Sequence, residues 1–161
     1  MNYKIPAAVL AAIIAALGVN EGRKYIAYKD RLANGLLTVC DGITGPDVIA
    51  GKVYSDAECD ALVVGRVVKY DAQIMACLRQ PLPDHVRISF NDAAFNLGPS
   101  RFCSSSIAKR WNAGDHAGSC AAILLYRYAG GLDCFLPANA KRCGGIKKRR
   151  EWEYATCMGT P

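Results

Sequence analysis

The stretch of sequence that decides the fold is residues 21–45, EGRKYIAYKDRLANGLLTVCDGITG. Residues 25–28 and 36–39 are rich in Tyr, Leu, Thr and Val, and turn pairs such as Asn34-Gly35 and Asp41-Gly42 punctuate the stretch. Aromatic and β-branched residues between turn signals predict short strands joined by tight turns. The stretch therefore predicts a small antiparallel sheet near the N-terminus.

Downstream of this sheet the sequence changes to helical patterns. Ser55 followed by Glu58 forms a capping box, and the apolar residues behind it recur at helical spacing, which predicts a long amphipathic helix. Residues 84–97 are apolar nearly all round and end at Gly98-Pro99, which predicts a buried central helix. Further helices are expected at 104–113, 115–126 and about 146–157. A small sheet followed only by helices predicts an α+β fold with segregated parts.

Upstream of the sheet, residues 5–19 form an uncharged run, IPAAVLAAIIAALGV, behind a single lysine. As a helix this run would span about 22 Å, which is short of the roughly 30 Å hydrocarbon core of a bilayer. A cleaved signal peptide and a weakly inserting signal-anchor both fit the charge and length, whereas a permanent transmembrane helix fits worst.

Composition narrows the class of protein. The chain has 161 residues, of which 52% are hydrophobic and 21% charged, so it is long and apolar enough for one packed domain and is not a disordered chain. The net charge of +6 favours an anionic partner such as nucleic acid, a membrane surface or a cell-wall polymer. No interleaved aromatic platform or recognition helix is present, so nucleic acid is not expected.

The cysteines indicate the compartment. The chain has eight cysteines and no pair at C-x-x-C spacing, which makes a zinc site the weaker interpretation. An even, scattered set predicts four disulfides in an oxidising compartment, and therefore an exported protein. Cys134 and Cys143 bracket a short irregular stretch that a crosslink would close. No metal or cofactor is predicted.

Two carboxylates in the deciding stretch suggest chemistry. Glu21 follows the apolar N-terminal run, where apolar neighbours would raise its pKa and suit it to donate a proton. Asp30 comes at the end of a predicted strand in a more hydrated setting. Glycoside hydrolysis needs one carboxylic acid and one ionised carboxylate. Spacing alone does not distinguish this pair from two surface charges.

Motif order adds a family resemblance. The segment from Glu21 to Asp30 resembles the E-G-x₅-Y-x-D opening of the phage lysozymes, the family 24 glycoside hydrolases. Residues 35–45 resemble the hairpin that follows it, and residues 93–106, 111–115, 128–131 and 145–151 resemble further landmarks in order. The resemblance implies that Glu21, Asp30 and Thr38 are catalytic. Asn96 and Tyr28 are the candidate substrate contacts, although a helix-capping role for Asn96 and a packing role for Tyr28 remain open.

The resemblance implies a phage-lysozyme fold with a β-lobe at about 21–54 and a helical lobe at about 55–161. It implies a muramidase that hydrolyses the β-1,4 bond between N-acetylmuramic acid and N-acetylglucosamine of peptidoglycan during phage lysis, without a cofactor. A lytic transglycosylase and a non-catalytic, disulfide-rich wall-binding module are the alternatives. A monomer is expected.

The branch of closest resemblance is that of endolysins with a signal-arrest-release N-terminus, here residues 1–20. It implies export to the host periplasm with transient tethering to the inner membrane. Because cleavage near Ala15-Ala16 would remove the helix before Glu21, we expect an uncleaved segment that packs onto the body after release. An ordinary cleaved signal peptide is the alternative.

Three details complete the prediction. The expected disulfides are Cys40–Cys59, Cys77–Cys103, Cys120–Cys157 and Cys134–Cys143. Asp30 and Thr38 are eight positions apart, whereas the family usually has six. Asp41 and Ile43 replace the usual family residues on either side of the hairpin glycine, so the His–Asp pair of the family is not expected. The basic run at residues 141–150 is expected to be a solvated helix face, with Arg149 paired to Glu153.

Overall fold

The computed structural model describes residues 4–30, 35–46 and 48–160, and it leaves the side chains of Asn20 and Glu21 undescribed. The first element is helix α1, Ala7–Glu21. Its Val9, Ile13 and Leu17 are buried in one apolar cluster with residues of the sheet and of the long helix that follows. None of the helices in the described part of the chain is both long and apolar enough to cross a membrane.

The sheet consists of three antiparallel strands in chain order: β1 Lys24–Asp30, β2 Leu36–Cys40 and β3 Ile43–Thr44. Strand β1 carries an irregularity after Lys24, and Val39 and Ile43 supply the buried side chains that pack on α1. The predicted antiparallel sheet is confirmed.

Helix α2, Asp56–Cys77, begins at the predicted capping box. The Glu58 N–H donates to Ser55 Oγ at 3.3 Å, and the Ser55 N–H donates to Glu58 Oε2 at 2.9 Å. Two of the backbone donors that a helix start leaves open are thereby satisfied. The helix begins beside the sheet and ends in the helical lobe, so it connects the two.

The helical lobe surrounds α3, Asp84–Leu97, which packs against α1, α2 and the last helix. Phe90 of α3 meets Phe102 and Trp111 in tilted and edge-on ring contacts, at centroid distances of 5.3 and 5.4 Å. The remaining elements of the lobe are α4 Pro99–Ser104, α5 Ser106–Asn112, α6 His116–Ala122, β4 Tyr128–Ala129, β5 Leu132–Asp133 and α7 Ala140–Cys157.

Four disulfides join the predicted cysteine pairs: Cys40–Cys59, Cys77–Cys103, Cys120–Cys157 and Cys134–Cys143. The first ties the end of β2 to α2, and the last ties the β4–β5 region to the start of α7. Cys40 has a positive φ of 54°, a conformation that non-glycine residues rarely adopt, at the turn into β3.

The helical lobe departs from the sequence prediction in three places. The helix expected at 104–113 is α5, Ser106–Asn112, and the short helix α4 before it was not predicted. The β4–β5 hairpin was missed because each strand has only two residues. The last helix begins at Ala140 rather than about 146, since it continues through Gly144 and Gly145 after non-helical angles at Cys143.

Candidate active site

A cleft of about 720 Å³ lies between the β-lobe and the helical lobe. Asp30 contributes from the end of β1, and the opposite wall comes from α3, α4, the β4–β5 region and α7. The charged or hydrogen-bonding side chains that line this opposite wall, the helical wall, are Asn96, Arg101, Tyr126, Tyr128, Lys141, Arg142 and Arg149. Arg101, Lys141 and Arg142 are exposed on this wall, and their charge favours an anionic partner.

The hairpin sets the relation between Asp30 and Thr38. Asp30 pairs with Leu36 and Tyr28 pairs with Thr38. Because directly opposed residues share a face of the sheet, Asp30 and Thr38 are diagonal neighbours on one face. Thr38 is buried, and its Oγ1 donates to the Leu36 carbonyl oxygen at 3.3 Å. The register thus brings Asp30 and Thr38 together in spite of their longer separation in sequence.

The predicted site residues differ in where they lie. Asp30 and Asn96 line the cleft from opposite sides. Thr38 lies behind the surface, and Tyr28 is about two-fifths exposed on β1 outside the set of lining residues. Glu21 is the last residue of α1, so its backbone adjoins β1, but its side chain lies outside the described part of the structure.

Arg23 fixes the chain immediately after Glu21. Gly22 has a φ of 68°, which turns the backbone out of α1 and into β1. The Arg23 guanidinium then donates to Asp41 Oδ2 at 2.7 Å, Asp56 Oδ1 at 2.9 Å and Asp60 Oδ1 at 2.8 Å. One cation therefore joins the entry to β1, the β2–β3 turn and the first turn of α2.

The electrostatics of this Arg23 network follow from its contacts. Hydrogen bonds from the Arg23 guanidinium and the Tyr25 hydroxyl hold the pKa of Asp56 below its usual range. Asp41 is almost completely buried, whereas Asp56 and Asp60 are mostly exposed. Asp41, one of the departures from the family pattern, is thus the buried partner of Arg23.

A second arginine network supports the helical wall. Arg149 Nε lies 2.7 Å from Asp92 Oδ1 and 3.4 Å from Glu153 Oε1. Arg150 Nη2 lies 2.8 Å from Glu153 Oε1 and 3.0 Å from Asn96 Oδ1. Burial raises the pKa of Glu153, against the attraction of the Arg150 guanidinium.

The predicted solvated face is therefore wrong for part of the basic run. Arg149 and Arg150 are buried, because each has a carboxylate partner inside the helical lobe. The predicted Arg149–Glu153 pair is confirmed. Lys141 and Arg142 are exposed, and they line the cleft. Basic residues on α7 that match the positions of acidic residues on α3 would have indicated the buried pairs. This match can be recognised only when α3 and α7 are known to pack together.

Comparison with known proteins decides the family. A family model for phage lysozyme matches residues 19–153. The chain belongs to the phage lysozyme family. This family fits a cleft between a small β-lobe and a helical lobe, with Asp30 at its edge.

Curated relatives are SAR-endolysins of phages. The SAR-endolysin of Bacteriophage PS119 is 33% identical over 154 residues, which cover 94% of this chain and 86% of that protein. The SAR-endolysin of Enterobacteria phage P21 is 34% identical over 138 residues, covering 86% and 77%. This lysozyme is thus similar to the signal-arrest-release branch along most of its length.

Solved structures agree in fold. The muramidase domain of SpmX from Asticaccaulis excentricus superposes with a TM-score of 0.77 at 20% identity, covering 99% of this chain and 100% of that one. The active form of the P1 phage endolysin Lyz gives 0.74 at 22% identity, covering 98% and 86%. The phage-lysozyme fold is confirmed.

Proposed function

We propose that this phage lysozyme hydrolyses the β-1,4 bond between N-acetylmuramic acid and N-acetylglucosamine, with Glu21 as general acid and with Asp30 and Thr38 holding the attacking water. The protein is a glycoside hydrolase, a muramidase that acts in phage host lysis. The observation that carries the residue assignment is the position of Asp30, at the end of β1 and in the wall of the interlobe cleft.

The proposal gives each of the three groups one step in the reaction. A protonated Glu21 donates to the glycosidic oxygen, so the leaving sugar departs as an alcohol. Asp30 accepts a proton from the water as it attacks the opposite face of the sugar, and the Thr38 hydroxyl orients that water. An inverting reaction of this type needs the two carboxyl groups about 6.5–9.5 Å apart, which leaves room for the water.

Product chemistry tests this proposal. Purified peptidoglycan is digested with the wild type, Glu21→Gln and Asp30→Asn, and the soluble fragments are analysed by mass spectrometry. We expect reducing-end N-acetylmuramic acid from the wild type alone. Anhydro-muramic products would indicate a lytic transglycosylase and would remove the water-holding role of Asp30. The absence of products from all three would favour a wall-binding module.

The N-terminal helix belongs to the active form in this proposal. The protein is exported to the host periplasm, where residues 1–20 first tether it to the inner membrane and α1 then packs onto the enzyme. Val9, Ile13 and Leu17 are buried beside Val39 and Cys59, so the apolar face of α1 has a protein partner as well as a lipid one. Release exchanges one apolar environment for the other.

Intact-mass measurement of the protein recovered from the periplasm tests the retained helix. We expect an uncleaved chain, in monomeric form by light scattering. A mass that corresponds to cleavage near Ala15-Ala16, with lytic activity preserved, would show that α1 is not needed and would overturn the retained-helix proposal.

A further inference from the structure

Asn96 and Arg150 form a hydrogen bond that crosses from the helical core to the cleft. Asn96 is exposed at the end of α3 and lines the cleft, whereas Arg150 is completely buried. Arg150 Nη2 donates to Asn96 Oδ1 at 3.0 Å. A core residue therefore contacts a side chain that substrate in the cleft can also reach.

The chemistry of arginine fixes which way the Asn96 amide is turned. A guanidinium group has only donors, so the amide atom that faces it must be the oxygen. The Nδ2 group is then directed away from Arg150. The Asn96 side chain consequently offers a hydrogen-bond donor, and not an acceptor, to a partner on its other side.

Arg150 is itself held in place. Its Nη2 lies 2.8 Å from Glu153 Oε1, and Glu153 also lies 3.4 Å from Arg149 Nε. Arg149 is anchored in turn to Asp92 of α3 at 2.7 Å. Because each of these side chains is buried, moving Arg150 would leave a charge without its partner inside the lobe, which is costly.

We infer that Arg150 is a positioning residue that holds the Asn96 amide as a fixed donor, and that this donor selects the acetamido carbonyl oxygen of the bound sugar. The inference rests on the proposed function, since it assumes that glycan occupies the cleft. An acetamido carbonyl is a pure acceptor, so it matches Nδ2. The ammonium group of an N-deacetylated glucosamine is a pure donor, so it cannot form a hydrogen bond with Nδ2, which is also a donor.

Substitution of Asn96 tests the selection. Asn96→Asp keeps an oxygen for Arg150 but presents a second oxygen, an acceptor, where the donor was. Asn96→Ala removes both groups. The apparent KM of the wild type and both variants is measured on N-acetylated peptidoglycan and on peptidoglycan with N-deacetylated glucosamine. Because cations on the helical wall repel ammonium in all three proteins, the comparison is made between variants on each substrate.

We expect Asn96→Ala to raise the apparent KM about fivefold to tenfold on N-acetylated peptidoglycan, the value of one hydrogen bond, and to change it little on the deacetylated form. Asn96→Asp should raise the KM on the first substrate and lower it on the second. Equal changes on both substrates would overturn the inference.

Arg150→Lys tests the positioning role. Lysine keeps a positive charge for Glu153 but loses the fork that reaches Asn96. We expect the same rise in KM as for Asn96→Ala, an unchanged kcat, and no further rise in the double variant. The matched control is Arg87→Lys, which alters a partly buried arginine whose Nε lies 2.9 Å from Asp71 and which does not line the cleft. It should leave KM unchanged.

Two results would contradict the positioning role. In one, Arg150→Lys lowers the melting temperature and leaves KM unchanged, which is the behaviour of a structural residue. In the other, the effects of Arg150→Lys and Asn96→Ala on KM multiply, which is the behaviour of independent sites. A wild type that hydrolyses neither substrate would overturn the proposed function and this inference together, whereas an active wild type with unaltered variants overturns only the inference.

Discussion

The lobes on the two sides of the cleft each contain an arginine network, but the networks differ in exposure. Arg23 of the β-lobe is one-quarter exposed and joins three carboxylates, two of which face solvent. Arg149 and Arg150 behind the helical wall are at most one-twentieth exposed, and their carboxylate partners are buried. Salt and pH should therefore affect the Arg23 network more than the network behind the helical wall.

The two sides of the cleft also differ in the roles that the proposed function gives them. The side of the cleft that the β-lobe forms, the β-wall, carries Asp30 and, behind it, Thr38, which the proposed reaction uses for chemistry. The helical wall carries Asn96 and the cations that meet the glycan. Substitutions in the first wall should change kcat, and substitutions in the second should change KM.

The largest expected effect is that of Asp30→Asn. Loss of the carboxylate that accepts the proton from water should lower kcat about 10²–10⁴-fold, with little change in KM. Turbidity clearance of a cell-wall suspension measures it. Asp133→Asn is the matched control, because Asp133 pairs with Arg127 at 3.0 Å beside the cleft without lining it. Comparable losses from both variants would refute the assignment of Asp30.

Arg23→Ala should have the next largest effect. It leaves the buried Asp41 carboxylate without its guanidinium, and we expect a loss of about 2–4 kcal/mol in the free energy of unfolding, since the pair is only partly buried. Arg23→Lys should recover part of that loss. Denaturant titration measures the free energy of unfolding of both variants. Equal values for the wild type and Arg23→Ala would show that the network does not contribute to stability.

Removal of single disulfides should distinguish the roles of the two walls. Cys134→Ser/Cys143→Ser should cost about 2–3 kcal/mol of unfolding free energy, as expected for a short closed loop, and should raise KM because Cys143 lies among the cleft-lining residues of α7. Cys40→Ser/Cys59→Ser should instead lower kcat, because it frees from α2 the strand that carries the proposed Thr38. If removal of either disulfide changed the same kinetic constant, the assignment of kcat to the β-wall and of KM to the helical wall would be contradicted.

The smallest expected effect concerns Glu58. Hydrogen bonds and charge from Lys52, with help from Ser55, lower the pKa of Glu58 to about 2 from its ordinary 4.5. A lowered pKa stabilises the folded state above pH 4.5, and this contribution is lost as the pH falls toward 2. The melting temperatures of wild type and Glu58→Gln should therefore differ at pH 5 and converge near pH 2. A constant difference would contradict the assignment.

Local signals in the sequence were sufficient for much of the β-lobe. Ser55 and Glu58 specify a helix start through their own hydrogen bonds, and the turn pair Asp41-Gly42 specifies a hairpin. The candidate site could be located because the motifs from Glu21 to Thr38 resemble those of the phage lysozymes, and the pairing of β1 with β2 then brings Asp30 and Thr38 onto one face. These features depend on residues close together in the chain.

Long-range features could not be predicted in the same way. Arg149 and Arg150 resemble surface residues until Asp92 and Asn96 of α3 are placed against α7. Arg23 likewise gains its role from Asp60, 37 residues away. The β4–β5 hairpin is too short for a periodic signal, and Gly144 within α7 opposes the helix that packing imposes.

Binding by an inactive enzyme tests the division between the walls most directly. Co-sedimentation with intact peptidoglycan is measured for Asp30→Asn and for Asp30→Asn/Asn96→Ala, neither of which should degrade the wall during the assay. The account predicts that the single variant binds as tightly as Glu21→Gln and that the added Asn96→Ala weakens binding about fivefold to tenfold. Loss of binding in Asp30→Asn alone, or equal binding by both variants, would contradict it.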